Sequence, residues 1–255
     1  MLENGTLAAF GLYLVRTSAF VLGLPFFGGP TTFGGAKIGW IASLSLLLFS
    51  VHGVPLPEAE APFVFGALAV REVLVGVALS FVLVVVMLGV RVAGEMIGSE
   101  MAFNMATVVD PAGGGSTPVI AQFYEMMFFL GLLAVDGHHL LLRALSGSFE
   151  RAPVGVVSFA GGFADVAVGM TSDLIGAGIT FAAPVLILLF LSSIVIGLIA
   201  RVVPQSNVME LSFSIRIMVG LGAMLLFAPL LAPGLAALYE RLDVMLERVL
   251  TVLEG

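Results

Sequence analysis

Long runs of apolar residues, separated by short charged or Gly/Pro-rich breaks, dominate this chain. They cover approximately residues 7–24, 38–51, 62–93, 118–146, 174–200 and 215–238. Apolar runs of about 18 residues or more predict helices that can cross a membrane. A membrane strand would be near 10 residues and would alternate in polarity, which residues 73–90 do not. The pattern predicts an all-α, polytopic membrane-type protein with about six apolar helices.

Three segments depart from simple spans. Residues 38–51 are too few to cross comfortably, and the third run continues through Arg91 and Glu95 towards Asn104. The tail, residues 239–255, interleaves charged and apolar residues at helical spacing. This spacing predicts a separate amphipathic helix that lies on a membrane surface or packs on a partner.

Composition supports a membrane environment. Of 255 residues, 60% are hydrophobic and 11% are charged, whereas soluble domains carry about 25% charged residues. The deficit extends along the whole chain, so we treat residues 1–255 as one domain and not as a soluble domain with an anchor. The absence of cysteine excludes disulfides and thiolate metal sites. The net charge of −7, with basic residues scattered singly, argues against nucleic-acid binding.

The basic residues of the loops give no orientation under the positive-inside rule. If all six segments span, each side of the membrane receives four of them. One side receives Arg143, Arg151, Arg241 and Arg248, and the other receives Lys37, Arg91, Arg201 and Arg216. This tie weakly favours an arrangement other than simple spanning.

Charged residues also lie inside the apolar runs: Arg16 in the first, and Arg71 and Glu72 in the third. Each charge at a bilayer centre costs about 2.5–3.5 kcal/mol on insertion scales. We therefore expect these side chains to face protein or water and to have partners. The alternatives are that Arg16 snorkels from near a helix end, and that Arg71 and Glu72 mark the end of a helix.

A methionine-rich helix leads into a glycine-rich connection. Met96, Met101 and Met105 occupy three successive turns, and methionine adapts to changing neighbours. That softness suits a seal that opens and recloses, although ordinary core packing is the alternative. In residues 110–115 an Asp-Pro pair breaks the helix and three glycines follow, and Thr117-Pro118 then provides an N-cap and first residue for the next helix. A simple interhelical loop is the alternative here.

Polar residues recur along the next predicted helix. Glu125 and Asp136 are eleven residues apart, and Arg143 follows seven residues later. These spacings place all three near one line of a straight helix, with Gln122 and His139 beside it. The stripe predicts either an interface or lumen-facing seam, or a structural ion-pair network inside a bundle.

No motif for catalysis is present. The chain lacks a Walker A motif, a Rossmann fingerprint, GxSxG and HExxH. His138 and His139 adjoin Asp136, but neighbouring helical residues point to different faces and no further ligand cluster supports them. We therefore expect no enzyme activity, no cofactor and no metal.

A set of motifs from Gly94 to Gly220 resembles the FliR/SctT family, the export-gate proteins of flagellar and virulence type III secretion. The matching elements are Gly94-Glu-Met-Ile-Gly98, Val109-Asp-Pro111, Thr117-Pro-Val119, Asp136-Gly-His138, Leu140-Leu-Leu-Arg143, Ala152-Pro-Val-Gly155, Pro184, and the Arg-x-x-Pro-Gln-x-Asn element from Arg201 to Asn207. Among the departures, the family has Asn-Gly-His where this chain has Asp136-Gly-His138.

The resemblance implies a subunit of a helical, pseudo-symmetric export gate in the bacterial inner membrane, within a flagellar basal body or an injectisome base. Its partners would be FliP-type and FliQ-type subunits and an FlhB-type subunit, and its cargo unfolded flagellar or effector proteins. Its long helical hairpins would tilt instead of spanning conventionally, and a loop at about residues 103–117 would plug the channel beside a methionine gasket. The Gly-His-Leu-Leu stretch leans towards a flagellar system without deciding it.

Two groups of residues carry these functional predictions. The predicted plug comprises Met101, Phe103, Asn104, Met105, Val108, Val109, Asp110, Pro111, Gly113, Gly114 and Gly115. The predicted polar seam and subunit contacts comprise Arg71, Glu72, Gln122, Glu125, Asp136, His138, Arg143, Arg201, Pro204, Gln205 and Asn207. The alternative function is a secondary transporter of a small solute, with Arg71, Glu72, Glu125 and Asp136 as substrate or proton sites.

Overall fold

The computed structural model describes residues 4–25, 34–56, 62–103, 118–154, 163–202 and 208–254. Within these ranges the chain is helical throughout its regular structure and contains no strand, so the all-α prediction is confirmed. The helices are α1 (Asn4–Gly23), α2 (Gly34–His52), α3 (Pro62–Glu100), α4 (Val119–Ala134), α5 (Gly137–Arg151), α6 (Phe163–Val202) and α7 (Val208–Glu254).

The number of membrane-type helices agrees with the sequence pattern. In the described ranges, 5 helices are long and apolar enough to cross a membrane, and the bent pair of α4 and α5 raises the number to 6. The prediction that the second segment is too short is wrong, because α2 has 19 residues. Its first turn contains two glycines and Lys37, which look like a break in hydropathy but keep the backbone hydrogen bonds of a helix.

The predicted separation of the amphipathic tail is also wrong. Helix α7 continues for 47 residues through Pro229 and Pro233 to Glu254. A change from apolar to amphipathic composition alters what a helix packs against, and leaves its backbone hydrogen bonds unchanged. The amphipathic pattern itself is confirmed, since Leu242, Met245, Leu246, Val249 and Leu253 are buried.

Three helices are much longer than a bilayer requires. Helices α3, α6 and α7 have 39, 40 and 47 residues, and a rise of 1.5 Å per residue makes straight helices of about 58–70 Å. The hydrocarbon core of a bilayer is about 30 Å thick. A straight helix of this length would fit within it only at a tilt near 60°, whereas membrane helices tilt by about 0–40°.

The chain divides into two compact units. Unit 1 contains Met1–Val85, Asp136–Met170 and Arg241–Gly255, and unit 2 contains Val86–Val135 and Thr171–Glu240. Each unit is assembled from segments that are distant in the sequence. Neither unit is therefore a continuous stretch of chain that could be excised as it stands.

An aromatic cluster forms part of the core of unit 1. The ring of Tyr13 stacks on Phe149 with a centroid distance of 4.3 Å and meets Phe49 edge-on at 5.3 Å. The Tyr13 hydroxyl donates a hydrogen bond of 2.8 Å to the carbonyl oxygen of His52. These contacts join α1, α2 and α5.

In unit 2, α4 contacts both of the long C-terminal helices. Tyr124 meets Phe181 edge-on at 5.7 Å between ring centroids. The Tyr239 hydroxyl donates a hydrogen bond of 2.8 Å to the carbonyl oxygen of Phe128. Burial raises the pKa of Tyr239 to about 12, so its hydroxyl remains protonated and able to donate.

Candidate functional site

Arg16 and Glu72 form an ion pair at the centre of unit 1. The Nε and Nη2 atoms of Arg16 each lie 2.6 Å from Glu72 Oε2, and both side chains are completely buried. The prediction of partners is confirmed for Arg16 and Glu72, and for Arg71 it stays a prediction. Snorkelling of Arg16 is wrong because no part of its side chain reaches the surface. The assignment of Arg71 and Glu72 to a helix end is also wrong, since α3 begins at Pro62.

The rest of the Arg16 guanidinium group binds the end of α5. Its Nη1 donates to the carbonyl oxygen of Ser148 at 2.8 Å and to Ser148 Oγ at 3.2 Å, and its Nη2 donates to the carbonyl oxygen of Ala152 at 2.9 Å. The guanidinium carbon also lies 4.3 Å from the centre of the Phe149 ring. A cation is favourable at a helix C-terminus because the exposed carbonyls carry partial negative charge. Arg16 thus joins α1, α3 and α5.

Gly76 permits the close approach that this cluster needs. A Cβ atom at Gly76 would lie 2.5 Å from the carbonyl oxygen of Arg16 and 2.8 Å from the Cβ of Ala19, so a side chain would push α1 and α3 apart. The second carboxylate oxygen of Glu72 is buried and has no hydrogen-bond partner. Buried ion pairs contribute little net stability but can fix how elements register. The arrangement suits a structural junction and presents no reactive group at the surface.

The end of α3 marks the start of the predicted plug. The amide of Ala102 donates to the carbonyl of Ser99, and the amide of Phe103 donates to the carbonyl of Gly98, each at 3.0 Å. Ala102 has a φ of 59°. This pattern is a Schellman-type helix end, in which the left-handed position usually holds glycine because other residues pay about 1–2 kcal/mol there. The chain leaves α3 by a defined turn.

Helix α7 holds this turn in place. Met101 is completely buried, and a Cβ atom at Gly220 would lie 2.5 Å from both its Cγ and its Sδ. One turn earlier, Arg216 Nη1 donates to the carbonyl oxygen of Glu100 at 3.3 Å and lies 3.9 Å from Glu100 Oε2. Gly220, which leaves room for Met101, and Arg216, which binds Glu100, together hold the last residues of α3 against α7.

Most of the predicted plug lies beyond the described residues. Met101 and Phe103 are described, and their role in closure stays a prediction. The predicted residues outside the described ranges are Asn104, Met105, Val108, Val109, Asp110, Pro111, Gly113, Gly114 and Gly115, together with Pro204, Gln205 and Asn207.

The predicted polar stripe does not lie on one helix. Val135 and Asp136 separate α4 from α5, and Asp136 has φ 56° and ψ 25°, a left-handed conformation that aspartate tolerates better than most residues. The straight helix expected over residues 118–146 is therefore wrong. Glu125 lies in unit 2, where its Oε1 is 3.7 Å from Arg91 Nε, and Arg91 also binds Glu95 at 3.0 Å.

The other predicted seam residues are dispersed. Arg71 and His138 are half-buried, whereas Gln122, Asp136, Arg143 and Arg201 are exposed. An exposed polar side chain on a membrane-type protein is available to a partner or to water. Their role as interface residues stays a prediction.

Asp136, His138 and His139 form a cluster of metal-ligating side chains in the described part of unit 1. One ligand atom from each lies within 4.8 Å of the others, and the two imidazole rings are 4.2 Å apart. The expectation that the adjacent histidines diverge is thus wrong, because the two rings lean together from neighbouring positions of α5. Zinc bonds of about 2.0–2.1 Å require ligand atoms about 3.4 Å apart. The three groups would have to rotate to share an ion, and the absence of a metal stays a prediction.

Sequence reasoning missed several residues that build these contacts. The carbonyls of Ser148 and Ala152 leave no sequence signal, since every residue has one. Arg216 carries a sequence signal, a charge at the start of an apolar run, but the same signal is typical of a loop. Gly220 has no signal of its own beyond the family resemblance.

The fold and its internal contacts define a class of protein: a helical membrane protein whose buried charges join its own helices. The chain belongs to the family described as bacterial export proteins, family 1, whose model matches residues 7–242. The match covers nearly the whole chain, so the family predicted from the motifs is confirmed.

Named relatives agree with this assignment. The chain is 33% identical over 214 residues to the flagellar biosynthetic protein FliR of Bacillus subtilis (strain 168), covering 83% of this chain and 82% of the relative. It is 30% identical over 244 residues to the flagellar biosynthetic protein FliR of Escherichia coli (strain K12), covering 94% and 92%. It is also 26% identical over 147 residues to the surface presentation of antigens protein SpaR of Shigella flexneri, covering 57% and 56%.

Proposed function

We propose that this chain is a structural, non-catalytic subunit of a type III protein export gate in the bacterial inner membrane. The observation that carries the proposal is the family match over residues 7–242, together with FliR relatives that align along most of their own length. The cargo would be unfolded protein on its way out of the cell. The higher identity and coverage of the FliR relatives favour a flagellar basal body over an injectisome base.

The exposed apolar surface supports assembly with FliP-type, FliQ-type and FlhB-type subunits. The most apolar stretch of α6 is 22% buried, and that of α7 is 11% buried, within the chain. Helix α6 has 40 residues, which give about 60 Å if it is straight, about twice the thickness of hydrocarbon, whereas the apolar span of α7 has 18 residues. Lipid tails alone cannot cover the length of α6, so neighbouring subunits are the natural cover for the remainder.

We further propose that residues at about 103–117 close the channel as a plug. The support is the turn at Met101–Phe103, where α3 ends and α7 secures the chain through Arg216 and Gly220. A loop that starts from a fixed point can return to one closed position after a polypeptide has passed. Methionine at that point also tolerates small movements of its neighbours.

Deletion of residues 110–115 tests the plug. The assembly that co-purifies with the full-length chain is placed in a planar bilayer, and ionic conductance is measured. We expect the deletion to make the assembly leaky to small ions because the loop no longer fills the passage. A second variant replaces residues 110–115 by the same number of Gly and Ser residues, and separates loss of length from loss of sequence.

The outcomes distinguish the plug from the subunit assignment. Background conductance from an assembly that retains all its subunits would contradict the plug and leave the export role in place. Failure of the chain to co-purify with any small membrane partner would contradict the export-gate assignment itself. In that case, uptake of a small solute by the purified single chain would support the secondary transporter.

No described contact favours the secondary transporter over the export gate. Of its predicted residues, Glu72 is completely buried against Arg16, and Glu125 is paired with Arg91. Arg71 and Asp136 complete that set and do not form a described site with the other two. The family match therefore supports the export gate over the secondary transporter.

A further inference from the structure

The N-terminal part of α3 exposes a regular series of apolar residues. From Phe63 to Val84 the series advances in alternating steps of four and three residues, and all of it lies in unit 1. Every member is exposed except Phe81, which is half-buried. We call this series the heptad face of α3, and it comprises Phe63, Ala67, Val70, Leu74, Val77, Phe81 and Val84.

Steps of four and three are the spacing of helices that pack along their length. Apolar positions with this repeat stay turned towards a neighbouring helix while the two helices wind around each other. Lipid chains impose no such repeat, because they contact a helix wherever it is apolar. The spacing therefore favours a helix as the group that covers this face.

Arg71 lies at the edge of the heptad face. It directly follows Val70 and precedes the exposed apolar residues Val73 and Leu74. Its own side chain is half-buried. In a heptad repeat this is a flanking position, the kind that carries the salt bridges between helices and thereby selects the partner and its orientation.

Arg71 has no counter-ion of its own in the described part of the chain. It makes no hydrogen bond or salt bridge there, and the charges that act on it are those of Glu72 and Arg16. Glu72 is completely buried and is already bound by Arg16 at 2.6 Å. Two cations and one carboxylate leave one positive charge in excess beside an apolar face.

Neither hydrocarbon nor a second copy of this face supplies the missing anion. The heptad face is about 32 Å long, so a bilayer that covered it would place Arg71 about 12 Å from one end, where a charge is costly. A second copy offers no accessible carboxylate on the same face, since Glu72 is the only acidic residue among residues 62–90 and is buried. Pairing two copies through this face would add a second unbalanced cation.

We propose that the heptad face of α3 packs along an apolar helix of a partner subunit, and that an Asp or Glu side chain of that helix binds Arg71. The inference rests on the proposed function, because it needs a neighbouring subunit, and it adds the chemistry that recognises this neighbour. The partner helix carries apolar residues in steps of four and three, with the acidic residue beside them. A guanidinium group can bind both oxygens of a carboxylate, so this pair fixes the register of two otherwise uniform apolar helices.

Photocrosslinking identifies the helix that covers this face. The amino acid p-benzoylphenylalanine is incorporated in place of Leu74, an exposed position three residues beyond Arg71, and the assembly that co-purifies with the full-length chain is irradiated. We expect a cross-link to a membrane partner, in a helix that carries an Asp or Glu within about one turn of the linked residue. A cross-link only to lipid, or only to another segment of this chain, would overturn the inference.

Charge reversal tests the ion pair itself. We expect Arg71→Glu to lower the amount of cross-linked partner retained on purification by about tenfold or more, as loss of a buried charge pair does, and Arg71→Lys to retain most of it. Reversing the partner's acidic residue to Arg in the Arg71→Glu background should restore retention, which a change in packing alone cannot explain. Arg248→Glu is the matched control, because Arg248 is exposed on α7, and we expect it to leave retention unchanged.

The outcomes separate this inference from the proposed function. Full retention of the partner by Arg71→Glu would overturn the inference while the export-gate assignment stands. Loss of a bound anionic phospholipid without loss of the partner, measured by native mass spectrometry, would show that a lipid phosphate binds Arg71 and would also overturn it. Absence of any membrane partner from the wild-type preparation would contradict the proposed function and this inference with it. Circular dichroism checks that each variant keeps its helices.

Discussion

The buried ion pair between Arg16 and Glu72 leads to a quantitative stability prediction. Glu72→Leu keeps a similar volume and removes the carboxylate, which leaves the guanidinium group buried with only the Ser148 and Ala152 oxygens as acceptors. Removing one member of a buried pair costs about 3–5 kcal/mol. Since domains have a net stability of about 5–15 kcal/mol, we expect a severe but measurable loss.

Two further variants separate charge from packing. Glu72→Gln retains an oxygen that can accept from Arg16, so we expect a loss smaller than that of Glu72→Leu. The double variant Arg16→Met with Glu72→Leu removes both charges together. Because no uncompensated charge then remains buried, we expect it to be more stable than the sum of the two single losses predicts.

The assay is denaturant-induced unfolding of the purified protein in mild detergent, followed by circular dichroism. A free energy of unfolding for Glu72→Leu within about 0.5 kcal/mol of the wild type, the range of ordinary surface substitutions, would refute the buried pair. Strict additivity of the two single variants would refute the direct coupling between Arg16 and Glu72. The same measurement on Arg16→Met completes the double-mutant cycle.

Two other predictions concern unit 2. Gly220→Leu should displace Met101 and destabilise the end of α3 by about 1–3 kcal/mol, as overpacking does. Gly222→Leu should have little effect because a Cβ there meets nothing within 4 Å. The measurement is protection of the Met101 amide in hydrogen exchange, and an equal loss of protection in both variants would contradict the close contact between Gly220 and Met101. Tyr239→Phe should cost about 0.5–1.5 kcal/mol through the lost hydrogen bond to the Phe128 carbonyl, measured by thermal unfolding in detergent, and an unchanged midpoint would argue against that bond.

The apolar pattern predicted the helical class because a long apolar run in lipid has to satisfy its backbone hydrogen bonds internally, which a helix does. It also predicted that Arg16 and Glu72 need partners, since the cost of burying a lone charge is known from the residue type. It could not pair them with each other. They are 56 residues apart in sequence, and only the packing of α1 against α3 brings them together.

The break between α4 and α5 was predictable in part. Asp136-Gly137 is a turn-forming dipeptide, but it lies inside an otherwise apolar run, and the spacing of Glu125 and Arg143 favoured a straight helix. Local turn chemistry overrode the periodic pattern. In α7 the reverse occurred, because the change to an amphipathic composition at residue 239 favoured a separate helix, whereas one helix continues from Val208 to Glu254.

Contacts at the base of the predicted plug were beyond sequence reasoning. Met101 and Gly220 are ordinary residues of apolar helices, and their fit depends on the distance between two backbones. Arg216 donates a hydrogen bond to a backbone carbonyl, and because every residue has a carbonyl, the sequence does not show which one accepts. Such positions become visible only once the helices are placed.

The partners of Arg16 have a consequence for how the protein is made. Glu72 follows it by 56 residues, and the carbonyls of Ser148 and Ala152 follow by 132 and 136. While the chain is being synthesised, the first helix therefore carries a cation without its counter-ion until Glu72 has emerged, and the remaining hydrogen-bond acceptors of Arg16 arrive only with the end of α5. A nascent chain that ends before Ser148 cannot complete this junction, so α1 reaches its final position late in biogenesis.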